Sequence, residues 1–461
     1  MAKGRILCIS AGMLKPKKVD NPVARLHMYL NYGLLGLASI LGSRGYEPTV
    51  VHGRFEEPEA FVLGLQARGL LASAHPILLS LPSSFALPWA RAACAAIRAV
   101  APETRIVVGG RWVVANDPVW IKSQLPQADE FIEEHAESRI EQIVDPRTTC
   151  ATPHLSQPDD GFMPALNYLL LEGWQEFQPS IEVSRGCGMH CTFCAEAEVP
   201  LSIMKPPGKV ADEVANYEHV GGGDECHPYF EASIFQPSTV WSEELTDHLV
   251  RRGLRVQWRA ESRVDVLSPR QISGLAQAGL RILDLGLESG SPAQLIAMKK
   301  TPRPDVYLSR ASNLLRACHE NGVWTKVNIL LYPGETWETL QQTTEWLERH
   351  RPFIKGLSVG PTILYRYGQS SRTLLEEFGH LGAVVTDPRG LDAQGYTHLD
   401  LSSEITHAAA LAFSTELSKS FMTSRDYYDL KVFSYLPRGF SWEQFQRTID
   451  GRAAEDLPFR V

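Results

Sequence analysis

The sequence lacks any apolar run long enough to cross a membrane. Its longest apolar stretches fall well short of the ~20 residues that a spanning helix needs. The first residues, MAKGRILCISAGML, read as a short strand and have no apolar core of the kind that signal peptides carry. We therefore expect a cytoplasmic protein with no membrane partner.

Basic tracts are also missing from the chain. It carries 45 Lys and Arg against 53 Asp and Glu, which gives a net charge of −8. Nucleic-acid binding depends on positive charge that neutralises phosphates, so this balance argues against a nucleic acid as the main partner. It fits neutral or cationic small molecules instead.

Most of the cysteines have no close neighbour in the sequence. Five of the eight lie far apart, and a reducing compartment would keep them as free thiols. We expect them to act as small hydrophobic residues of the core: Cys8, Cys94, Cys150, Cys226 and Cys318.

The other three cysteines share one short segment, VSRGCGMHCTFCAEAE. Cys187, Cys191 and Cys194 have the spacing C-x3-C-x2-C. Structural zinc sites usually need four ligands, and His190 is badly placed to supply the fourth. An iron–sulfur cluster with one iron left open by the protein fits three thiolates better. A zinc knuckle, or three incidental thiols, is the alternative.

Strand and helix alternate along two stretches of the chain, which predicts an α/β fold. Residues 1–145 read as an open parallel sheet of Rossmann type, with its ligand crevice at the carboxyl ends of the strands. Residues 146–180, rich in Pro, Thr and Asp, read as a linker. Six further strand–helix units over 181–370 favour a partial (β/α)6 barrel of TIM type, whose chemistry lies on the loops after the strands. Residues 371–461 look mainly helical and form the predicted substrate or capping region.

The cysteine segment resembles the radical S-adenosylmethionine superfamily. It follows the first strand of the predicted barrel and places the aromatic Phe193 before the last cysteine. The resemblance covers about residues 180–370. It implies that Cys187, Cys191 and Cys194 hold a [4Fe–4S] cluster and that S-adenosylmethionine binds its open iron. Reductive cleavage would then give a 5′-deoxyadenosyl radical that takes hydrogen from a substrate.

Other segments resemble the same superfamily in the same order. WRAESRVD, LGLESGS and NILLYPGET match its third-, fourth- and fifth-strand motifs, and GPTILYRYG matches the exit of the sixth strand. One departure is Gln236-Pro237 after the second strand, where relatives often carry acidic residues. The resemblance implies these contacts with S-adenosylmethionine: Phe193 and the backbone near Leu330 to the adenine, Glu288 and Ser289 to the ribose or methionine end, and Arg263 to the carboxylate. Because of the departure after the second strand, we expect the amine contact to fall instead to Gln236, Ser238 or a carbonyl.

The stretch GGGDECHPYFE before the second barrel strand is an unusual insertion. It is either a solvated loop or a substrate loop whose carboxylates bind a cationic group or act as acid and base. On the second interpretation, Glu225 and Glu231 are the candidate catalytic residues.

Residues 1–145 resemble the cobalamin-binding domain of cobalamin-dependent radical enzymes. Two features depart from that pattern: no D-x-H-x-x-G follows the first strand, and the stretch that is usually G-E-G-E reads EEHAES, from Glu133 to Ser138. Glycine there would let backbone approach the nucleotide tail, whereas Glu134 and His135 add bulk. Cobalamin is possible, but we favour a purely structural domain.

These features give three functional hypotheses. The first is a radical dehydration of a cationic aminosugar such as paromamine, because the chain resembles in architecture the radical diol dehydratases of aminoglycoside antibiotic biosynthesis. It implies an electron donor of flavodoxin or ferredoxin type and a downstream NAD(P)H reductase. The second is a cobalamin-dependent methyltransferase acting on an unactivated carbon. The third is a non-catalytic iron–sulfur electron-transfer protein.

Overall fold

The computed structural model describes residues 3–148, 163–221, 226–366, 370–449 and 457–459. The chain divides into two compact units. Unit 1 is built from the described residues of 1–19, 29–174 and 366–369, and unit 2 from those of 20–28, 175–365 and 370–461. Within the described ranges, no helix is both long and apolar enough to cross a membrane.

Unit 1 is a five-stranded parallel sheet with helices between its strands. The strand order is β2-β1-β3-β4-β5, and all neighbouring strands are parallel. The chain adds β2 on one side of β1 and β3 to β5 on the other, so the strand order reverses between β1 and β3. In chain order its elements are β1 Arg5–Ser10, α1 Tyr32–Ser43, β2 Glu47–His52, α2 Pro58–Ala67, β3 Ile77–Ser80, α3 Leu87–Val100, β4 Ile106–Gly109, α4 Arg111–Val114, α5 Pro118–Gln124, β5 Glu130–Phe131 and α6 Ile140–Val144.

The central strands of unit 1 are apolar almost throughout, as the sequence predicts for strands covered on both faces. Residues 6–9 of β1 and 77–79 of β3 are at most 5% exposed. Asn31 ties this sheet to its first crossover helix. Its side chain caps α1 by accepting from Leu34 N, and its amide donates to Ser10 Oγ and Ser80 Oγ, each at 3.0 Å.

Unit 2 contains a six-stranded parallel sheet in the order β11-β10-β9-β8-β7-β6. Strictly sequential order is the arrangement that the predicted partial barrel requires. The elements of the sheet and its helices are β6 Ser180–Glu182, α7 Pro207–Gly221, β7 Tyr229–Glu231, α8 Thr239–Arg251, β8 Trp258–Arg263, α9 Pro269–Gln277, β9 Leu280–Glu288, α10 Pro292–Ala297, α11 Pro304–Glu320, β10 Trp324–Leu331, α12 Trp337–His350 and β11 Gly356–Pro361.

Local signals account for several of these boundaries. Helix α9 begins as the sequence predicts, with Ser268 as cap, Pro269 at the first position and Gln271 closing a capping box. The predicted last strand, GLSVGPTIL, is instead two strands. It breaks at Thr362, whose backbone N–H and hydroxyl both donate to Leu331 O, at 2.9 and 2.8 Å.

The region after the barrel is helical but also contains a small sheet. Strands β12 and β13 both pair antiparallel with β14, which the sequence analysis did not predict. Because these strands are short, their residue pattern does not predict them, and they are recognised by their hydrogen-bonded pairing. The elements are β12 Ile363–Tyr365, α13 Ser370–His380, β13 Val384–Val385, α14 Gly390–Gln394, β14 Tyr396–Asp400, α15 His407–Ser420, α16 Ser424–Val432 and α17 Trp442–Thr448.

The two faces of the barrel sheet differ in polarity. On β8, Trp258 and Ala260 point into the apolar core beneath the helices. Arg259, Glu261 and Arg263 alternate with them and therefore point to the other face, which we call the inner face. The inner face is where a partial barrel leaves room for ligands.

Candidate active site

The cysteine loop leaves β6 and is fixed by main-chain hydrogen bonds. Cys187 N donates to Val199 O at 2.8 Å, and Cys194 N donates to Cys191 O at 3.1 Å. In the middle of the loop, the Thr192 hydroxyl lies 2.7 Å from the Tyr332 hydroxyl. The main chain of the loop therefore has a defined path.

The three thiols are close enough to affect one another's ionisation. Burial raises the pKa of Cys187, and the charge of Cys191 adds to the rise. Burial also raises the pKa of Cys194, with further contributions from Cys187 and Cys191. His190 lies apart, because it is exposed and its Nδ1 is 3.2 Å from Glu198 Oε1. Among the described residues, no three His, Cys, Asp or Glu side chains converge as they would around a single metal ion.

Positive charge lies beside these thiols. Arg263 Nη1 is 3.5 Å from Cys191 Sγ, and Arg263 together with Lys300 opposes the rise in the pKa of Cys187. The guanidinium also donates to both carboxylate oxygens of Asp265 and to Lys300 O, so most of its donors are already engaged. The predicted contact of Arg263 with a carboxylate ligand would use the remaining Nη1 donor.

Glu288 and Lys300 form a buried ion pair at the same edge of the sheet. Lys300 Nζ donates to Glu288 Oε1 at 3.0 Å. The Lys300 ammonium also lies 5.9 Å from the centre of the Phe193 ring. The structure thus brings together Phe193, Glu288 and Arg263, three of the residues predicted to contact S-adenosylmethionine.

The predicted adenine contact has open space beside it. Leu330 lies near the end of β10, paired with Gly360 of β11. A Cβ added to Gly360 would meet nothing within 4 Å. A flat ligand edge can therefore approach the backbone here.

Two predicted contacts are used inside the protein instead. Ser289 is 1% exposed, and its hydroxyl lies 3.1 Å from Thr343 Oγ1. Ser238 caps α8 by accepting from Trp241 N at 3.1 Å. Gln236 differs from both, because its buried Oε1 has no hydrogen-bond partner among the described residues. Of the two candidates for the amine contact, Gln236 is the one with a free acceptor.

Of the two predicted catalytic carboxylates, only Glu231 can be located. Glu225 lies outside the described residues. Glu231 ends β7 on the inner face and accepts from Ser180 Oγ at 2.7 Å. Burial raises the pKa of Glu231 to about 8, and the carboxylate of Glu261 adds to the rise.

The sequence analysis missed three further carboxylates at the depth of Glu231. Glu182 is paired in register with Glu231, and Glu261 with Asp284. Strands β7 and β8 pair Tyr229 with Arg259 and Phe230 with Ala260, and the same register continued by one residue places Glu231 beside Glu261. We call these four residues, which cross four adjacent strands, the acidic row: Glu182, Glu231, Glu261 and Asp284.

A periodic signal for the acidic row is present in the sequence. Each member stands alternate to apolar residues within a strand, as in SIEV, YFEA, WRAESR and ILDLGL. An isolated charge with a period of two marks the face opposite the core. Only the register shows that the four charges lie at one depth.

Two residues before Glu261 on β8, the buried guanidinium of Arg259 lies between two aromatic rings. The guanidinium of Arg259 lies 4.3 Å from the ring centre of Tyr229 and 4.8 Å from that of Tyr435. It is hydrogen-bonded to Asp284, and Lys326 Nζ lies 3.8 Å from the same carboxylate. Asp284 is thus neutralised twice.

The crevice of unit 1 carries neutral polar groups at the carboxyl edge of its sheet. Ser10, Asn31 and Ser80 form the hydrogen-bonded set described above. Ser84 follows β3, is 1% exposed, and its hydroxyl has no partner among the residues that the structure describes. A buried hydroxyl without a partner fits a polar ligand such as the amide-rich rim of cobalamin.

Steric bulk expected from EEHAES lies at the surface. Glu134 and His135 are exposed, and Glu134 pairs with Arg139. The bulk of these two side chains therefore does not by itself exclude cobalamin. Two other histidines of unit 1, His52 and His75, have both ring nitrogens hydrogen-bonded within the protein.

The thiols outside the cysteine loop behave as predicted where they can be seen. Cys8, Cys94, Cys226 and Cys318 are buried. Cys150 lies outside the described residues.

Comparison with known proteins places the barrel in a family. Residues 181–347 match the family model of the Radical SAM superfamily. The chain is also similar to a tRNA-2-methylthio-N(6)-dimethylallyladenosine synthase of Syntrophotalea carbinolica, with 27% identity over 191 residues, 38% of this chain and 43% of the relative. The chain spans about half the length or less of the curated relatives it matches.

Two solved structures share the architecture of nearly the whole chain. One is the radical S-adenosylmethionine methyltransferase TsrM from Kitasatospora setae, bound to tryptophan and an S-adenosylmethionine analogue. The two structures match over 90% of this chain and 88% of the TsrM chain, with 17% sequence identity and a TM-score of 0.68. The other is the cobalamin-dependent S-adenosylmethionine radical enzyme OxsB with aqua-cobalamin. The two structures match over 93% of this chain and 67% of the OxsB chain, with 13% sequence identity and a TM-score of 0.66. Residues 181–347 of the barrel therefore match the Radical SAM superfamily, and the two solved structures share the fold of the chain.

Proposed function

We propose that this protein is a cobalamin-dependent radical S-adenosylmethionine methyltransferase that acts on an unactivated carbon. The observation that carries the proposal is the pairing of an open five-stranded sheet with a six-stranded barrel that bears three cysteines after its first strand. TsrM, a methyltransferase, and OxsB, a cobalamin-dependent enzyme, share this architecture over at least nine-tenths of the chain. That likeness favours methyl transfer over the dehydration placed first from the sequence.

The residues present fit the cofactors that this function needs. Cys187, Cys191 and Cys194 would hold the [4Fe–4S] cluster, and the carboxyl edge of the unit 1 sheet would hold cobalamin. The cluster and S-adenosylmethionine would supply the 5′-deoxyadenosyl radical, and cobalamin would supply the methyl group. Gln236 Oε1 would accept from the amine of S-adenosylmethionine, because it is buried and no described residue donates to it.

The protein's own side chains contribute charge and proton binding. Arg263 and Lys300 set positive charge beside the thiolates, which stabilises the anionic loop and attracts a carboxylate. Glu231 holds a proton at neutral pH because its carboxyl is buried beside Glu261. It can therefore give or take a proton on the inner face.

Radical dehydration of an aminosugar is the second candidate. The protonated carboxyl of Glu231 favours it, since a leaving hydroxyl needs an acid nearby. A reductant of flavodoxin or ferredoxin type belongs to both proposals, and a downstream NAD(P)H reductase belongs to this one.

Metal and cofactor analysis after anaerobic reconstitution with hydroxocobalamin separates these candidates. We expect about four irons per chain, as one [4Fe–4S] cluster requires, and one retained cobalamin. Four irons without cobalamin would reject the methyltransferase and move dehydration to first place. Iron without any formation of 5′-deoxyadenosine from S-adenosylmethionine would indicate the electron-transfer protein.

Replacing one cluster ligand provides the matched control. Cys194→Ala should lose most of the iron and all 5′-deoxyadenosine formation while it still retains cobalamin. Cys318→Ala, at a buried thiol far from the loop in sequence, should keep iron, cobalamin and turnover. Unchanged 5′-deoxyadenosine formation in Cys194→Ala would remove this cysteine from the cluster.

A further inference from the structure

The centre of the acidic row has two carboxyl groups that form no ion pair among the described residues, although the charge of Arg259 attracts both of them from below. Glu182 at one end is paired with Arg185 through two hydrogen bonds, and Asp284 at the other end is neutralised by two basic side chains. In the described ranges, the Glu231 carboxyl accepts one side-chain hydrogen bond, from the hydroxyl of Ser180. Glu261 makes no side-chain hydrogen bond or ion pair in the described part of the chain. Both central glutamates keep some exposed surface, so a ligand can approach this part of the inner face.

A buried hydroxyl without a partner lies on the same face. Ser184 is 2% exposed, and its Oγ has no hydrogen-bond partner among the described residues. Val183 packs in the core, and its backbone is bonded on both sides, to Glu231 O and Lys205 N. Residue alternation therefore directs Ser184 to the inner face, as it does Glu182. Buried hydroxyls normally have a partner, so this one indicates a missing polar ligand.

These groups together define the hydrogen-bond donors and the charge that a ligand of this site would carry. Two carboxyls accept hydrogen bonds, and a serine hydroxyl can accept or donate. A neutral or anionic group would leave at least one carboxylate buried and unpaired, which is costly. A primary ammonium group supplies three donors and one positive charge. Its charge complements a pair of carboxyl groups that form no ion pair among the described residues.

We propose that Glu231 and Glu261 bind the ammonium group of a cationic, hydroxyl-bearing substrate, with the Ser184 hydroxyl as a further polar contact. This proposal rests on the proposed function, because it assigns the substrate class of the same barrel. It explains why the two central carboxyls form no ion pair of the kind that Glu182 and Asp284 form. In the empty protein, the proton held by Glu231 takes the place of the ligand's charge.

Calorimetric binding and thermal unfolding of the full chain test this assignment. The probe is paromamine, and its fully N-acetylated form is the neutral control. Paromamine should bind the wild type and raise its Tm, and the acetylated form should do neither. Glu261→Gln should weaken paromamine binding at least tenfold, whereas Glu243→Gln, at an exposed carboxylate on α8, should bind like the wild type.

Unliganded stability separates a binding role from a structural one. Glu261→Gln removes an unpaired charge, so its Tm without ligand should equal or exceed that of the wild type. A lower Tm would mean that Glu261 supports the fold and would overturn the proposal. Equal binding of the acetylated form, or a rise in Tm with Mg²⁺ rather than paromamine, would also overturn it.

The cluster variant keeps this test separate from the proposed function. Cys194→Ala should bind paromamine as the wild type does, although it forms no 5′-deoxyadenosine. Binding lost in Glu261→Gln but kept in Cys194→Ala supports the ammonium site even if cobalamin analysis rejects methyl transfer. No paromamine binding by a wild type that carries cluster and cobalamin would overturn the site alone.

Discussion

Glu288 has a left-handed backbone conformation, with φ of +70°, at the end of β9. The β9–β10 register shifts at this point, so Ile329 pairs with Glu288 where an undisturbed ladder would reach Leu287. A non-glycine residue costs about 1–2 kcal/mol in this region. The ion pair with Lys300 holds the side chain in place. Strain of this kind is common at ligand sites, and here it lies at the edge predicted to bind S-adenosylmethionine.

Glu231 should make stability depend on pH. Its folded pKa of about 8 lies above the ordinary glutamate value, so folding favours the protonated form. The resulting stability is complete below about pH 4 and is lost as pH rises toward 8. Each unit of pKa difference corresponds to about 1.4 kcal/mol, which sets the upper bound of the effect.

Glu231→Gln removes this titration. The Tm of the variant relative to the wild type should therefore rise between pH 5 and pH 8 in parallel thermal scans. Glu243→Gln, which is exposed, should follow the wild type at every pH. A constant Tm difference between Glu231→Gln and the wild type across this range would show that the carboxyl has an ordinary pKa.

At the scale of elements, the cysteine loop depends on two glycines with left-handed backbones. Gly186 has φ of +72° and Gly188 has φ of +64°. A Cβ on Gly186 would lie 2.1 Å from Pro200 O, whereas a Cβ on Gly188 would have its nearest neighbour at 3.7 Å. Both positions therefore need a left-handed backbone, but only position 188 has room for a Cβ atom.

This difference predicts unequal effects of alanine. Gly186→Ala must displace the Pro200 backbone and should lose most of the iron after reconstitution. Gly188→Ala meets only the backbone strain of about 1–2 kcal/mol and should keep the cluster. Iron analysis and Tm measure both effects, and equal iron in the two variants would contradict the steric argument.

The buried pair of Arg259 and Asp284 links two strands of the barrel. Arg259→Met leaves a carboxylate that is 2% exposed with only Lys326 nearby, at 3.8 Å. We expect a loss of about 3–5 kcal/mol in the free energy of unfolding, measured in urea. Arg259→Met combined with Asp284→Leu should be less destabilised than the single variant. A larger loss in the double variant would mean that the pair itself is strongly stabilising.

At the scale of the whole molecule, the chain has two compact units, each with its own parallel sheet. The carboxyl ends of the parallel strands form the ligand edge in both architectures. In unit 1 that edge carries neutral hydroxyl and amide groups, whereas in unit 2 it carries thiols and charges. Each unit therefore suits a different kind of ligand.

Hydrogen exchange should report this division. Hydroxocobalamin should slow amide exchange in the unit 1 segments after β1, β3 and β4. S-Adenosylmethionine with the reconstituted cluster should slow it in the cysteine loop and after β9 and β10. The Cys194→Ala chain serves as control, since it should keep only the first pattern. Protection by hydroxocobalamin confined to unit 2 would contradict the assignment of the cobalamin site.

Sequence alone determined the chemistry that local spacing encodes. The three cysteines, the alternation of strand and helix, and the capping box at Ser268 each depend on residues close together in the chain. Such features follow from short-range geometry, so they can be predicted without tertiary contacts. Glu231 could be named from its segment, although not the reason for its raised pKa.

Tertiary structure decided everything that depends on register between distant segments. Glu182 and Asp284 are separated by about a hundred residues, yet pairing of four strands brings them to one depth with Glu231 and Glu261. The folded chain also brings Ser289 to Thr343, 54 residues on, while Gln236 Oε1 has no hydrogen-bond partner in the described ranges. A hydrogen bond or a charge repulsion acts over a few ångströms, and only the folded sheet sets those distances.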